Sequence, residues 1–286
     1  MSRRNQTYRV SRTLLRVLGG TAALAVVPSA LTVQTAMAAP CYGDCKPGVV
    51  RLGAGVLRYD APVGVDDQIT IAADNGFLTV TDPAANFSAG DGCTMMTAHE
   101  AQCSNAFSLT VRGLDGNDVI TNLTSLTSRL AGGAGNDRLV GGSGDDMLVG
   151  EFGADVMLGG GGSDTASYSD TSARAGVQAD LDGATGDDGG PEDGAVGARD
   201  TIGADVENLE GTLKDDVLTG NAGPNTLSAV GGHDLVQGLG GDDQLIGRGG
   251  GTVNGGAGTD QCTSDLRGLL EQPDSFVGCE VTQVVN

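Results

Sequence analysis

The chain has 286 residues, with 37 acidic side chains against 16 lysines and arginines, and its formal net charge is −21 at pH 7. A field this negative repels nucleic acid and anionic lipid, which excludes both as partners. With 49 glycines, no tryptophan, five phenylalanines and four tyrosines, the chain also has little material for an ordinary globular core. It is therefore either disordered or ordered by something regular.

The first 38 residues predict a signal peptide. Five arginines and no acid precede an apolar run from about Val17 to Val33, and Ala36-Met37-Ala38 gives a small-residue cleavage pattern. We expect cleavage near Ala38, a secreted or cell-wall location, and a mature charge of −26 instead of −21. The export route stays open between the general secretory pathway and, because of Arg3-Arg4, the twin-arginine pathway. The apolar run is too short and glycine-broken to span a membrane.

Residues 39–107 predict a small, strand-rich N-terminal cap. Ile69-Thr70-Ile71 and Leu78-Thr79-Val80 flank Asp74-Asn75-Gly76, which is a hairpin signal. A cap is needed wherever a row of stacked strands would otherwise end in an open edge.

A nine-residue unit then recurs, with glycine at position one, Asp or Asn at position six and an apolar residue at position eight. Gly132–Val140 reads GGAGNDRLV, and three further units follow without a gap to Ser167. A lone copy covers 113–121, and a second series covers 211–263. The pattern is G-G-x-G-x-D-x-U-x, and its regularity decides against disorder. We place a first array at 108–167 and a second at 211–263.

The nonapeptides resemble those of the RTX, or hemolysin-type, calcium-binding family. The resemblance implies an all-β fold, a parallel β-roll of the RTX β-solenoid type, in which two nonapeptides make one coil. It also implies several calcium ions between turns one coil apart, held by position-six side chains and by turn carbonyls such as those of Gly133, Gly135, Gly142, Gly144 and Gly240. The implied position-six ligands are Asp118, Asp137, Asp146, Asp155, Asp164, Asp216, Asn225, Asp234, Asp243 and Asp260.

The family rule, carried over to this chain, places position-six residues in two rows. It pairs Asp137 with Asp155, Asp146 with Asp164, Asp216 with Asp234, and Asn225 with Asp243. The ligand types suit calcium, a hard cation that takes six to eight oxygen ligands. Some sites should be weak: Asn225 has no charge, Glu151 and Lys214 replace turn glycines, and GRGGGTVN at 247–254 lacks a position-six acid.

One inward residue per unit makes a thin core. Each buried aliphatic side chain contributes roughly 1.5 to 3 kcal/mol, whereas ordering each residue costs about 1 to 2 kcal/mol of backbone entropy. We therefore expect calcium binding to supply folding energy. The predicted inward residues are Leu139, Leu148, Met157, Ala166, Leu218, Leu227, Val236, Leu245 and Val253.

The acidic spacer at 168–210 separates the two arrays. An alternating Val177-x-Ala179-x-Leu181 strand precedes an acidic loop and an apolar return through Ile202, Val206 and Leu209. The sequence leaves open whether this segment continues the coil with a bulge or forms a separate lobe, and we favour the bulged coil.

All six cysteines follow the signal peptide, and an even number in an exported chain indicates disulfides. Sequence alone leaves every pairing open, but proximity along the chain favours Cys41 with Cys45, Cys93 with Cys103, and Cys262 with Cys279. The last pair would close a C-terminal cap at 264–286.

These features predict a secreted, non-enzymatic calcium-binding protein that acts as a structural or binding module. The alternative is a calcium-dependent adhesin or cell-surface matrix component that binds a cell-surface partner or itself. A secreted hydrolase with an unrecognised site in 39–107 is the third interpretation, but the chain contains no G-x-S-x-G, H-E-x-x-H or P-loop motif. We predict no catalytic residue.

Overall fold

The computed structural model describes residues 48–104, 106–169, 173–266 and 273–285. The predicted signal peptide and the predicted Cys41–Cys45 pair lie outside these residues. The described residues form strands and no helix, wound into a parallel β-solenoid of about nine turns. This confirms the predicted all-β roll. No helix that could cross a membrane occurs in the described ranges.

The N-terminal part forms seven strands. Two of them build the predicted hairpin, in which Asp74 pairs with Phe77 and Asn75-Gly76 makes the turn with φ of 51° and 82°. The Cys93–Cys103 disulfide joins the last two. The strands are β1 (Gly48–Gly53), β2 (Val56–Asp60), β3 (Gln68–Asp74), β4 (Phe77–Thr81), β5 (Phe87–Ala89), β6 (Cys93–Thr97) and β7 (Glu100–Ser104).

The first array contributes short strands separated by glycine-rich turns. Leu139 is in register with Met157, and Leu148 with Ala166, so that the chain returns to the same sheet after two nonapeptides, as the resemblance implies. The strands are β8 (Ser108–Asp115), β9 (Val119–Asn122), β10 (Thr127–Ala134), β11 (Arg138–Val140), β12 (Asp146–Phe152), β13 (Val156–Leu158) and β14 (Thr165–Ser167).

The spacer, the second array and the C-terminal part continue the roll. The last strands are tied back by the predicted Cys262–Cys279 disulfide. The strands are β15 (Gln178–Asp180), β16 (Thr201–Ile202), β17 (Asn208–Glu210), β18 (Val217–Thr219), β19 (Thr226–Ser228), β20 (Leu235–Gly240), β21 (Gln244–Gly247), β22 (Thr252–Ala257), β23 (Gln261–Asp265), β24 (Ser275–Val277) and β25 (Val281–Val285).

One face of the roll is a continuous sheet and the other face is divided. A twelve-stranded sheet runs in the order β25-β23-β21-β19-β17-β14-β12-β10-β8-β2-β1-β5. The other face consists of an eight-stranded sheet, β16-β13-β11-β9-β3-β4-β7-β6, and a five-stranded sheet, β15-β18-β20-β22-β24. Both sheets of the first array begin inside the predicted cap, because β2 and β3 pair in parallel with β8 and β9.

The spacer reverses the local strand order on the divided face. Strand β15 precedes β16 in the chain, yet β16 pairs with β13 of the first array and β15 pairs with β18 of the second. The chain thus first forms β15 beside the second array, then returns to form β16 beside the first array, and only afterwards enters the second array. Two antiparallel bridges, Gln178 with Gly189 and Asp188 with Asp200, connect these segments.

The core is a ladder of side chains between the two faces. All nine residues predicted to point inward are fully buried, and Cys262, at the same position of the last unit, is 1% exposed. Each coil adds only one such residue from each face. The core is therefore long and thin, and the turns between the faces hold most of the polar groups.

Candidate metal sites

Position-six side chains line both edges of the roll. The first edge consists of the turns before strands of the divided face, and the second edge of the turns before strands of the twelve-stranded sheet. The backbone N–H of Asp137 donates to Asp155 Oδ1 at 2.7 Å, and that of Asp146 to Asp164 Oδ1 at 2.8 Å. Asp216 with Asp234, and Asn225 with Asp243, make the same hydrogen bond at 2.9 Å. All four predicted pairings are confirmed.

The second oxygen of most of these carboxylates has no hydrogen-bond donor. In seven of the ten predicted residues Oδ2 is buried and lacks a partner, and these residues are at most 3% exposed. A buried ionisable oxygen without a donor is costly unless a cation lies beside it. The donor set therefore fits a hard metal ion. The seven residues are Asp118, Asp137, Asp155, Asp164, Asp234, Asp243 and Asp260.

The other three predicted ligands are hydrogen-bonded. Asp146 Oδ2 accepts the Gly142 N–H at 2.6 Å, and Asp216 Oδ2 accepts the Thr212 N–H at 2.7 Å. Asn225 Oδ1 accepts from Asn221 N at 2.8 Å, and its Nδ2 donates to the Glu207 carbonyl. Both polar atoms of the Asn225 amide are thus already hydrogen-bonded within the protein.

Glycine at position one leaves a gap that these oxygens border. A Cβ on Gly238 would lie 2.5 Å from the Gly255 carbonyl oxygen and would also meet Asp243 Oδ2. A Cβ on Gly141 would lie 2.7 Å from Asp146 Oδ2 and would also meet a carbonyl oxygen of the next coil. Carboxylate and carbonyl oxygens of adjacent coils therefore converge on the same space, which only glycine leaves open.

The predicted turn carbonyls lie in the same stacked turns. Those of Gly135, Gly142 and Gly144 each face the glycine that follows two nonapeptides later. Gly133 lies near the end of β10 and Gly240 at the end of β20. The interruption at Glu151 is accommodated by a left-handed backbone with φ of 76°, a conformation that costs energy in a non-glycine residue.

Burial raises the pKa values of most position-six carboxyl groups. Loss of solvation is the main cause, and neighbouring carboxylates add to it. It raises the pKa of Asp118, Asp155 and Asp234 to about 7, and that of Asp137 and Asp164 to about 6. The pKa values of Asp216 and Asp243 also rise. The protein alone does not compensate the negative charge of these groups.

Five acids that the repeat pattern missed extend the rows. Four of them accept a backbone N–H where a position-six carboxylate would. The fifth, Asp67, belongs to the row because its own N–H donates to Asp118 Oδ1 at 2.7 Å, and both of its carboxylate oxygens are buried without a partner. A weak signal was present, because an apolar residue follows two positions later in Asp67-Gln68-Ile69 and Asp200-Thr201-Ile202. The other four accept the N–H of Asp155, Asp164, Gly251 and Asp260, and they are Asp200, Glu207, Asp274 and Glu280.

A parallel solenoid with a buried carboxylate at the same place in successive turns defines the class of calcium-binding β-rolls. The family model described as RTX calcium-binding nonapeptide repeat (4 copies) matches residues 131–166, 201–229 and 219–251. The chain therefore carries RTX calcium-binding nonapeptide repeats. The second matched range begins within the predicted spacer, where β16 and β17 rejoin the coil. No curated protein matches the chain.

Proposed function

We propose that this chain is an exported, non-enzymatic protein whose roll orders on binding several calcium ions, and which serves outside the cell as a structural or binding module. The observation that carries the proposal is the set of buried position-six oxygens without a donor. Calcium, when bound, supplies the positive charge that these oxygens lack. The residues proposed to hold it are the ten position-six side chains, together with carbonyl oxygens of the same turns.

The charge of the whole chain supports the same proposal. At −21, self-repulsion opposes a compact fold unless cations offset it. Below the millimolar calcium of an extracellular medium the roll would then lose stability, because a ligand that binds only the folded state adds to its stability. The difference in calcium concentration between the cell interior and the medium would then keep the roll unfolded before export and fold it after export.

Export itself is supported by the sequence and by the cysteines. The first 38 residues carry the charge and apolar pattern of a signal peptide. The described residues contain two disulfides, which persist in oxidising compartments. The non-enzymatic assignment is supported by the absence of the common hydrolase motifs from the sequence.

Circular dichroism of the oxidised mature protein during a calcium titration tests the proposal, with magnesium as the control. We expect a cooperative gain of β signal with calcium and little change with magnesium, with a midpoint of about 10⁻⁴ to 10⁻³ M, typical of extracellular modules. No response to either ion would overturn it.

Sedimentation in the same titration separates the soluble module from the adhesin. A module stays monomeric when calcium is added, whereas an adhesin or matrix component self-associates or pellets with cells. Exposed apolar side chains such as Leu123 and Leu213, at 64% and 71% exposure, would support self-association if it occurs.

A further inference from the structure

The C-terminal end of the roll is open. Strand β25 is the last strand of the twelve-stranded sheet, and in the part of the chain that the structure describes no strand pairs with its outer side. The inward residues of the preceding coils are buried. Thr282 and Val284 are in register with the inward residues Cys262 and Ser264, yet both are exposed. Phe276, at the inward position of β24, is only partly buried. The last coil therefore leaves one rung of the core uncovered.

The N-terminal end of the roll is closed by comparison. Its edge strand β5 has only three residues, and Phe87 in that strand is buried against the Tyr59 ring, with ring centroids 5.0 Å apart. The edge strand β6 of the eight-stranded sheet is bulged between Met95 and Thr97. Short or bulged edge strands prevent pairing between molecules. Strand β25 has five residues, VTQVV, with no lysine or proline and a regular register to β23, so it lacks these protections.

The main chain of β25 is ready to accept another strand. The Val281 N–H donates to the Asp260 carbonyl oxygen at 3.0 Å, so the backbone N–H and C=O of every second residue, counted from Val281, face β23. Those of the intervening residues, Thr282 and Val284, therefore face away from β23, toward the open side of the sheet.

The sequence of β25 is complementary to itself in antiparallel orientation. Pairing with β25 of a second copy about a two-fold axis at Gln283 places Thr282 of one copy opposite Val284 of the other. Both residues direct their backbone groups to the open side, so they form the hydrogen-bonded pairs of an antiparallel ladder. Gln283, whose backbone faces β23, falls at the non-hydrogen-bonded position between them. Inward side chains then lie opposite inward side chains, and the uncovered rung is closed.

Electrostatics favours this end of the roll for contact between two copies. The chain carries a charge of −21, so most surfaces of two copies repel each other. Strands β24 and β25 contain no charged residue. The acids beside them are hydrogen-bonded to the preceding coil, because Asp274 accepts the Gly251 N–H at 2.7 Å and Glu280 accepts the Asp260 N–H at 2.8 Å. A second copy of the chain thus meets an uncharged strand edge here.

We propose that two copies of the roll join end to end through antiparallel pairing of their β25 strands, in a closed two-fold dimer. The twelve-stranded sheet then continues from one copy into the other, and the open edge of each is used up. The inference goes beyond the proposed function, although it requires the ordered roll. A closed pair differs from a module that stays monomeric and from a matrix component that grows with concentration, and its mass distinguishes the three.

Sedimentation equilibrium of the oxidised full mature chain in calcium tests the pairing. We expect a mass that reaches twice that of the monomer and rises no further. Thr282→Pro removes an N–H that faces only the open side, and an edge strand tolerates proline at such a position. It should raise the dissociation constant of the pair by about tenfold or more. The control Leu213→Lys changes an apolar side chain that is 71% exposed in a turn of the roll, and it should keep the wild-type mass.

A charge exchange at Gln283 tests the two-fold axis itself. Gln283→Glu and Gln283→Lys each place like charges opposite each other and should weaken the pair about threefold or more at low salt. An equal mixture of the two variants should pair again, because opposite charges then meet. This comparison does not depend on the folding of the proline variant. A wild-type protein that stays monomeric or grows beyond the pair, charge variants that keep the wild-type mass, or a mixture that does not recover would overturn the pairing.

Circular dichroism of the same samples distinguishes this inference from the proposed function. If the wild-type protein gains no β signal with calcium, the proposed function fails, and the pairing, which needs the ordered edge strand, fails with it. If the roll orders with calcium but stays monomeric, only the pairing is overturned.

Discussion

Seven of the ten position-six side chains are carboxylates that use their two oxygens differently. One oxygen accepts a backbone N–H from the neighbouring coil and so fixes the spacing of the turns, as Asp155 Oδ1 does for Asp137. The other lies buried without a donor and carries the charge. Asn225 performs neither task, because its Oδ1 accepts the Asn221 N–H of its own turn and its Nδ2 donates to the Glu207 carbonyl oxygen. An asparagine in place of an aspartate keeps an oxygen acceptor but brings no charge.

Asp234→Asn should therefore change stability in opposite directions with and without calcium. The amide oxygen still accepts the Asp216 N–H, but the charge is gone. With calcium we expect a loss of roughly 1–3 kcal/mol in the free energy of unfolding. In EDTA we expect a small gain, because the buried charge whose pKa is raised to about 7 is removed. Urea unfolding in both conditions measures the two signs.

The matched control is Asp215→Asn, which changes the position-five residue of the preceding coil. Asp215 Oδ1 accepts the His233 N–H at 2.8 Å, and Asn136 makes the same hydrogen bond in the first array. This variant should leave stability unchanged with or without calcium. A loss in EDTA as large as that with calcium in Asp234→Asn would show that the carboxylate serves packing and not an ion.

The raised pKa values predict how the calcium-free protein responds to pH. The folded pKa values of Asp118, Asp155 and Asp234 lie near 7, above the unfolded value of about 3.9. Such groups bind more protons in the folded state, so stability is fully present below the unfolded pKa and is lost as pH rises through the folded pKa.

In EDTA, we therefore expect more β signal and a higher unfolding temperature at about pH 5 than at about pH 8. Calcium should reverse the order, because protons compete with the ion for the same oxygens. Circular dichroism at both pH values measures this. A calcium-free protein that is more stable at the higher pH would contradict the burial of these carboxylates.

At the scale of the turn, glycine is needed at position one more than at position three. In the turn of Gly238, a Cβ would lie where the Asp243 carboxylate and the Gly255 carbonyl of the next coil converge. A Cβ on Gly240, two residues later, would meet only ordinary contacts at 3.7 and 3.8 Å. The two positions therefore differ although both are glycine.

Gly238→Ala should cost roughly 1–3 kcal/mol through overpacking and should lower the number of calcium ions bound. Gly240→Ala should leave both quantities near the wild-type values. Thermal unfolding and calcium titration calorimetry of the two variants measure the difference. Equal effects of the two substitutions would be inconsistent with the stacking of these turns.

At the scale of the whole molecule, the C-terminal disulfide holds the last coils. Cys262 occupies the inward position of the last unit, and its bond to Cys279 closes a separation of 17 residues. Replacing both cysteines by alanine should cost about 3 kcal/mol in the chain-entropy model. Hydrogen exchange should then rise first in β23 and β25.

The same double substitution at Cys93 and Cys103 is the comparison. Those residues lie directly opposite each other on antiparallel strands and are separated by only 10 residues, so the loss should be smaller and confined to the N-terminal strands. Faster exchange throughout the roll in both variants would mean that the coils unfold as one unit.

The repeat made most of the roll predictable from the sequence. One apolar residue and one acid per nine residues predicted the inward ladder, whereas the four position-six pairings came from the family resemblance, which implies two nonapeptides per coil. The pattern did not find Asp67, Asp200 and Asp274, because their turns lack the glycines or depart from the nine-residue spacing. The repeat pattern also could not predict the reversed order of β15 and β16, because local periodicity carries no information about which distant segments pair.

The twelve-stranded sheet has a mechanical consequence. Because it passes the spacer without a break, both arrays share one backbone hydrogen-bond ladder, which spans roughly 50 Å at the usual strand spacing. Adding or deleting one pair of nonapeptides would change this length by about 4.8 Å and leave both ends as they are. The length of the roll can therefore change in steps of one coil, in evolution or by design, without any change to its two ends.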